Sequence, residues 1–236
     1  VGDAGPDDLV LALISGGGSS LLTLPVEGLK LAEVRVASQA LLDSGAPIAD
    51  INCVRKHLSR TLGGRLAAAC QAPVRVLMIS DVTGDDPSVI ASGPFAPDPA
   101  TFADALSVFE RWRITPPAAV RRYLEDGVAG LHAETPKPGA DCFTRVEHQI
   151  LANGRAALLG AAAHFRERGV TPVILGDTVT GKAREVARAF AALAREVRLH
   201  GGPWAPPVAL LSGGETTVTV HGGGRGGRNA EFLLAL

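Results

Sequence analysis

Aromatic side chains are scarce in this chain: they form 4% of its 236 residues, and only one of them is a tyrosine. Apolar residues nevertheless make up 46% of the sequence, with Ala, Leu and Val prominent among them. Small and branched side chains of this kind suit close packing of helices on a sheet. Length and composition predict one large α/β domain, or one domain and part of a second.

Three further absences narrow the class of protein. There is no long block of like charge and the formal net charge is −1, so the basic footprint of a nucleic-acid-binding protein is missing. No apolar run reaches membrane-spanning length and no leader is recognisable, so we expect a soluble, cytoplasmic protein without a membrane partner. Cys53, Cys70 and Cys142 are odd in number and far apart, which excludes a disulfide framework and a zinc site.

Short apolar runs typical of buried strands alternate with segments of helical periodicity. Strands are predicted at 9–15, 74–80, 146–152, 172–175, 208–212 and 216–221, and helices at 29–44, 48–59, 62–70, 102–113, 117–125, 155–168, 182–199 and from 230 onwards. This alternation predicts an α/β fold with a mainly parallel, doubly wound sheet. Ligands of such sheets bind beyond the carboxyl ends of the strands.

Three consecutive glycines follow the first predicted strand, in Ser15-Gly-Gly-Gly-Ser-Ser20. Glycines admit positive φ and let successive N–H groups converge on an anion, aided by the dipole of a following helix. Ser19 and Ser20 are expected either to cap that helix or to donate to a phosphate. A tight turn without a ligand is the alternative, and this motif alone does not separate the two. A near-copy, Leu210-Leu-Ser-Gly-Gly-Glu215, recurs late in the chain.

Three carboxylates, those of Asp81, Asp85 and Asp86, follow the second predicted strand within six positions. Clustered hard oxygen ligands suit Mg²⁺ held together with a phosphate substrate, or a base for a hydroxyl proton. Turn and cap chemistry is the alternative, because Asp, Gly, Pro and Ser are also turn residues. We favour the functional interpretation.

Two arginines, Arg225 and Arg228, lie among five glycines in the segment 222–228. Such a segment makes sense if two guanidinium groups and a flexible backbone close over an anion. A solvated hairpin tip with incidental arginines is the alternative. Asn229 and Glu231, which enter a predicted helix, favour a functional role.

Two other segments carry weaker signals. Gly176-Asp-Thr-Val-Thr-Gly-Lys182-Ala183 matches the P-loop pattern G-x-x-x-x-G-K, but Ala183 replaces the hydroxyl that holds Mg²⁺ in that pattern. We therefore expect an ordinary strand-to-helix turn there. Lys56 lies on a predicted helix within Val54-Arg-Lys-His-Leu-Ser59. A solvated helix face is the ordinary interpretation, and a functional role is indicated only if the glycine loops surround this lysine.

Together these segments resemble the MOFRL-type glycerate kinases, also called glycerate 2-kinases. The resemblance covers nearly the whole chain and rests on an ordered set of motifs: Ile14-Ser-Gly-Gly-Gly-Ser19, Asn52-Cys-Val-Arg-Lys-His-Leu-Ser59, Gly63-Gly-Arg-Leu66, Ser80-Asp-Val-Thr-Gly-Asp-Asp-Pro-Ser-Val-Ile-Ala-Ser-Gly-Pro94, Leu211-Ser-Gly-Gly-Glu-Thr-Thr-Val218 and Gly226-Gly-Arg-Asn-Ala-Glu231. It implies a Rossmann-like domain over 1–200, then a linker at 201–207 and the beginning of a smaller α/β MOFRL domain over 208–236. An active-site cleft between the two domains is also implied.

The resemblance further implies phosphorylation of D-glycerate by ATP with Mg²⁺, giving 2-phosphoglycerate. In that family a catalytic lysine precedes the first glycine motif, before residue 1 of this chain, and the MOFRL domain extends beyond Leu236. We therefore expect the chain to be a fragment of a longer polypeptide, and its activity by itself stays open.

The resemblance and the chemistry above together assign roles to individual residues. The expected nucleotide- or substrate-binding residues are Ser15, Gly16, Gly17, Gly18, Ser19, Lys56, Gly213, Gly214, Glu215, Arg225 and Asn229. The expected catalytic residues are Asp81, Asp85 and Arg228, and the expected Mg²⁺ ligands are Asp85 and Asp86. Which aspartate holds the metal and which orients the substrate hydroxyl stays open.

Two other functions remain as alternatives to the kinase. An NAD(P)H-dependent hydroxypyruvate reductase needs a dinucleotide fingerprint, and Ser-Gly-Gly-Gly-Ser lacks the G-x-G-x-x-G spacing. A non-catalytic anion- or nucleotide-binding module would bind its ligand without turnover. We rank the kinase above both. The expected partners are glycerate and a nucleotide, and a homo-oligomer is left open.

Overall fold

The structure, a computed structural model, describes residues 1–219 and 224–236. The chain divides into two compact units, Val1–Leu151 and Ala152–Leu236. Both units contain helices and parallel strands, so the predicted α/β class is confirmed. The Rossmann-like, doubly wound arrangement and the domain boundary at 201–207 stay predictions. Within the described ranges, no helix is both long and apolar enough to cross a membrane.

A three-stranded sheet forms part of the first unit, with its strands in the order β1-β2-β3. The strands are β1 (Val10–Ser15), β2 (Val74–Ile79) and β3 (Val146–Ala152). β1 and β2 run parallel with Ser15 opposite Ile79, so their carboxyl ends lie together at one edge. Alternate residues of β2, from Val74 to Met78, are buried because the side chains of a strand alternate between two faces. This face packs against residues that include Phe95.

The first unit has six α-helices, four of which surround a second apolar core. They are α1 (Gly18–Leu21), α2 (Leu31–Asp43), α3 (Ile48–His57), α4 (Arg65–Ala68), α5 (Phe102–Arg111) and α6 (Ala118–Val128). Leu41, Phe102 and Phe109 are among the residues that fill this core between α2, α3, α5 and α6. A capping box begins α5: the Thr101 hydroxyl accepts the Asp104 N–H at 3.2 Å, and the Asp104 carboxylate accepts the Thr101 N–H at 2.8 Å.

The second unit has a two-stranded parallel sheet with three helices in its described part. Its elements are α7 (Gly154–Glu167), β4 (Thr171–Lys182), α8 (Ala183–His200), β5 (Val208–Thr217) and α9 (Arg228–Ala235). Thr171 lies opposite Val208, and the register then shifts between Ile174 and Gly176 and again between Gly176 and Val179. The second shift brings two residues of β4, Asp177 and Thr178, opposite the single residue Gly213 of β5.

Three predictions of local structure are wrong. The helix predicted at 62–70 is confined to α4, because Gly63 and Gly64 adopt left-handed φ of +59° and +80° and cannot continue a helix. The turn predicted at 176–183 is the extended second half of β4, and α8 begins directly after it.

The third correction concerns the late glycine motif. The strands predicted at 208–212 and 216–221 form the single strand β5 as far as Thr217, so Gly213 and Gly214 lie within a strand and not in a turn. Of the predicted strand, Val220 and His221 lie outside the described residues, as do Gly222 and Gly223 of the predicted glycine-rich segment.

Candidate active site

The glycine bend, defined here as Gly16–Ser19, meets the loop that follows β2. Both begin where a strand of the parallel pair ends, and these ends lie at the same edge of the sheet. A side chain at Gly16 would place its Cβ 2.7 Å from Oδ1 of Asp81 and would overlap the rest of that carboxylate. The missing side chain of Gly16 therefore makes room for Asp81, and the two motifs lie side by side.

The bend itself is held by backbone conformation. Gly17 has a left-handed φ of +75° and is the N-cap of α1, without a side-chain hydrogen bond to the cap. The expected serine cap is therefore wrong: the Ser20 hydroxyl donates to the carbonyl of Gly17 at 2.7 Å. Because α1 has four residues, the expected contribution of a helix dipole is small as well. Backbone amides remain the donors that the bend offers to an anion.

The aspartate loop, residues 80–94, combines turn chemistry with exposed carboxylates. Asp86 Oδ1 accepts the N–H of Ser88 at 2.8 Å. This hydrogen bond stabilises a turn, which was the alternative to metal or substrate binding for the aspartates of this loop. Asp85 has a φ of +54°, in the left-handed region that non-glycine residues rarely adopt. In the described part of the chain, no three His, Cys, Asp or Glu side chains group closely enough to hold a metal by themselves. Magnesium at Asp85 and Asp86 accordingly stays a proposal.

The end of the aspartate loop is strained and lies against the glycine bend. Ala91, Ser92 and Gly93 have consecutive left-handed φ values of +50°, +60° and +59°. A Cβ at Gly18 would lie 3.3 Å from the Cβ of Ala91. Left-handed non-glycine residues cost about 1–2 kcal/mol each and persist where the surroundings enforce them, often at functional sites.

A buried hydrogen bond holds this strained segment to α3. The Ser92 hydroxyl donates to Oδ1 of Asn52 at 3.1 Å, and both residues are buried. Neither residue was among the predicted site residues. Both belong to motifs that carry the family resemblance, but the sequence does not indicate that their side chains form a hydrogen bond with each other.

Arg55 is a further residue that the sequence reasoning missed. Its Nη2 donates to the carbonyl oxygen of Ser19, at the end of the glycine bend, at 2.8 Å. Burial lowers the pKa of the Arg55 guanidinium. The sequence feature that could have identified Arg55 is its position next to Lys56, which was predicted to bind the reactants.

Lys56 points to a different neighbour. Its Nζ lies 3.3 Å from Oδ1 of Asp98, whose Oδ2 accepts the hydroxyl of Thr135 at 3.1 Å. Lys56 is 7% exposed and Asp98 is 1% exposed, so the ammonium group is buried and already paired. The predicted binding role of Lys56 stays a proposal, and the geometry favours an indirect role through the position of α3.

In the second unit, the late glycines approach β4 closely. Gly214 has a φ of +129°, and its missing Cβ would lie 2.5 Å from the backbone nitrogen of Val179. A Cβ at Gly213 would lie 3.5 Å from Cα of Asp177, an ordinary contact. Gly214 is therefore required by the packing of two strands, whether or not it also binds an anion.

Two ion pairs lie near the start of α9, and each contains a residue that the sequence analysis singled out. Arg228 pairs with Glu215, and Arg184 Nε lies 2.5 Å from Oε1 of Glu231. Arg225 lines an open depression together with Arg184 and other residues of α8 and α9. Asn229 is exposed in the first turn of α9.

Sequence comparison supplies the family. Residues 1–125 match the family described as "Domain of unknown function (DUF4147)". The chain belongs to the DUF4147 family. Residues 208–236 of this DUF4147 chain match the MOFRL family as well. Together with the glycerate kinase relatives described next, these matches confirm the resemblance to MOFRL-type glycerate kinases.

Relatives of the DUF4147 chain carry two kinds of name. It is 50% identical over 235 residues to a protein of Agrobacterium vitis provisionally named as a hydroxypyruvate reductase, a match covering 98% of this chain and 52% of the relative. It is 42% identical over 230 residues to the D-glycerate 2-kinase of Thermotoga maritima, covering 97% of this chain and 52% of the kinase. A crystal structure of glycerate kinase from Thermotoga maritima matches with a TM-score of 0.80 at 41% identity, covering 99% of this chain and 54% of that one. The chain thus spans about half the length of these relatives.

Proposed function

We propose that the polypeptide containing this DUF4147 chain is a D-glycerate 2-kinase that uses ATP and Mg²⁺. The apposition of Gly16 and Asp81 carries the proposal, because it sets bare backbone amides beside a carboxylate. Phosphoryl transfer to a hydroxyl needs positioning and charge stabilisation more than covalent chemistry. The kinase relatives supply the substrate, and a soluble, cytoplasmic enzyme is part of the same proposal.

In this proposal the glycine bend binds oxyanions and Asp81 accepts a proton. N–H groups of Gly16–Gly18, with the hydroxyls of Ser15 and Ser19, bind phosphate oxygens or the substrate carboxylate. Asp81, which is exposed, accepts the proton of the substrate hydroxyl. The hydroxyl oxygen forms a bond to the γ-phosphorus while the bond from that phosphorus to the bridging oxygen of ADP breaks.

Magnesium would be held by Asp85 and Asp86. Mg²⁺ commonly takes one or two carboxylates and completes its shell with phosphate oxygens and waters, so two aspartates on one loop fit this use. When bound, the ion neutralises charge on the phosphates. Asp86 keeps the loop in shape through its bond to the N–H of Ser88.

Arg228 is the proposed second-unit residue that steadies the transferring phosphoryl group or the carboxylate, with Arg225 as second choice. Its present partner is the exposed carboxylate of Glu215. Exposed ion pairs contribute little to stability, so exchanging Glu215 for a phosphoryl group costs little. Gly213, Gly214 and Asn229 are proposed binding residues of the same unit.

The deciding experiment supplies ATP and D-glycerate to the full-length polypeptide and identifies the product by phosphorus NMR. We expect 2-phosphoglycerate. Asp81→Asn, Asp85→Asn and Arg228→Ala are compared with the exposed controls Asp7→Asn and Arg198→Ala. Loss of a general base or of a charge-stabilising group lowers kcat by about 100-fold or more. Undiminished rates in all three variants would remove these assignments.

The reductase is kept as a second candidate because of the name of the Agrobacterium vitis relative. It is tested by the decay of NAD(P)H absorbance with hydroxypyruvate and the same polypeptide. Reductase turnover without a phosphorylated product would replace the kinase proposal. Nucleotide binding without either turnover would instead indicate a non-catalytic module.

A further inference from the structure

We infer that Arg55 binds an oxyanion of the reactants at the end of the glycine bend. The inference rests on the proposed kinase function for the identity of that oxyanion, and on the structure for the site. Arg55 Nη2 donates to the carbonyl of Ser19 at 2.8 Å, so the guanidinium is anchored at the bend by one of its five N–H donors.

Among the described residues, no carboxylate is paired with the guanidinium group of Arg55. In the parts of the chain that the structure describes, Arg55 forms no ion pair, whereas its neighbour Lys56 pairs with Asp98. Arg65 offers a comparison: burial lowers its pKa, and Tyr123, Glu134 and Asp98 offset only part of this effect. For Arg55, burial lowers the pKa. A half-buried, unbalanced guanidinium is stabilised when an anion binds beside it.

Arg55 is also held rigidly. The residues on either side of it, Val54 and Lys56, are buried, and α3 packs in the second apolar core of the first unit. A preorganised guanidinium loses little conformational entropy when it binds a planar or tetrahedral oxyanion with two N–H groups. The site is therefore suited to a carboxylate or a phosphate.

The position relative to Asp81 indicates how a hydroxy acid would lie. Asp81 contacts the first residue of the bend, Gly16, and Arg55 contacts the last, Ser19. A 2-hydroxy acid carries its carboxylate and hydroxyl on adjacent carbons. The two ends of the bend therefore offer one cation and one carboxylate, the pair of groups that such an acid needs. A nucleotide phosphate at Arg55 is the other source of the same oxyanion chemistry.

The test is calorimetric titration of the full-length polypeptide with D-glycerate and, separately, with inorganic phosphate. The wild type is compared with Arg55→Ala, Arg55→Lys and the control Arg60→Ala, which removes an exposed arginine of the same unit. Losing a charge-assisted hydrogen bond should weaken binding of at least one probe by about 10-fold to 100-fold. Arg55→Lys should fall between, because lysine keeps the charge but not the planar fork. Arg60→Ala should bind like the wild type.

The two probes separate the sources. Loss of D-glycerate binding alone assigns Arg55 to the substrate carboxylate, and loss of phosphate binding assigns it to a phosphate group. Added guanidinium ion should restore part of the lost affinity in Arg55→Ala, which a purely structural defect would not allow. If Arg55→Ala does not fold, Arg55→Lys carries the test.

Two results would overturn the inference: wild-type affinity for both probes in a folded Arg55→Ala or Arg55→Lys protein, or no binding of either probe by the wild type. The titrations need no turnover. If the wild type fails to phosphorylate D-glycerate, the proposed function fails, and the binding data still decide the role of Arg55.

Discussion

The ammonium group of Lys56 lies 3.3 Å from the carboxylate of Asp98, and both residues are buried. Removing one partner of such a pair leaves an uncompensated charge in the interior. We expect Lys56→Met, and separately Asp98→Asn, to lower the free energy of unfolding by about 3–5 kcal/mol, measured by urea unfolding. The double variant Lys56→Met/Asp98→Asn should lose less than the sum of the two single losses.

Lys182→Met is the matched control for this prediction, because Lys182 is exposed. It should change the free energy of unfolding by less than about 0.5 kcal/mol. If Lys56→Met is as stable as this control but loses nucleotide binding, Lys56 binds the reactants directly and the positioning role is wrong.

Gly16 and Asp81 should be energetically coupled. Gly16→Ala forces its Cβ into the Asp81 carboxylate, and overpacking of this kind costs about 1–3 kcal/mol. In an Asp81→Ala background the space is vacant, so the same substitution should cost at least about 0.5 kcal/mol less. Gly17→Ala is the control: its Cβ meets nothing within 4 Å, and its φ of +75° costs the same in both backgrounds. Equal costs of Gly16→Ala in both backgrounds would refute the contact, as measured in a double-mutant cycle by thermal unfolding.

Cys53 should be an unreactive thiol. Burial, followed by the negative charges of Asp98 and Asp104, raises its pKa from 9.0 to about 12. At pH 8 its thiolate population is then about 1,000-fold smaller than that of an ordinary thiol, so alkylation should slow by about that factor. Mass spectrometry after iodoacetamide treatment measures this, with the denatured chain as the reference for full reactivity. Rapid alkylation of native Cys53 would contradict the buried environment.

The same shift makes stability depend on pH. Native Cys53 keeps its proton up to about pH 12, whereas the unfolded thiol loses its proton near 9.0. The folded state therefore binds more protons above pH 9, and the free energy of unfolding falls as pH rises through this range. A Cys53→Ala variant lacks this contribution, so its stability should fall less steeply above pH 9. Parallel curves for the two proteins would argue against the raised pKa.

The meeting of Gly16 and Asp81 was predictable because each follows an apolar segment, and the two segments form neighbouring parallel strands. Parallel strands place their carboxyl ends at one edge, whatever the details of packing. The same reasoning gave a wrong prediction for Gly213 and Gly214, which lie in a strand and not in a turn. The sequence Ser-Gly-Gly is compatible both with a turn and with a strand of shifted register. The pairing of Gly214 with Val179 shows that it forms a strand here.

Arg55 and Lys56 show a second limit. Neighbouring residues on a helix point about 100° apart, so each faces different surroundings once the helix is packed. Lys56 meets Asp98, 42 positions away, and Arg55 meets Ser19, 36 positions away in the other direction. These partners depend on the tertiary packing of α3, which periodicity does not determine.

The two late glycines allow strand packing and anion binding to be tested separately. Gly214→Ala places an L-residue at a φ of +129° with its Cβ 2.5 Å from the nitrogen of Val179, so it should destabilise the β4–β5 pair by at least about 2 kcal/mol. Gly213→Ala makes only contacts of 3.5 Å or longer and should be within about 1 kcal/mol of the wild type. Amide hydrogen exchange of β4 and β5 should accelerate in Gly214→Ala only.

Because Gly213→Ala leaves the strands intact, its kinetics report on the proposed anion-binding role of this motif. A raised KM for ATP or D-glycerate in Gly213→Ala, with unchanged hydrogen exchange, would mean that a bare backbone at this position approaches a ligand. An unchanged KM would mean that no ligand needs a bare backbone at Gly213. The close approach of Gly214 to Val179 would then explain why this motif contains a glycine, because a side chain at that position has no room.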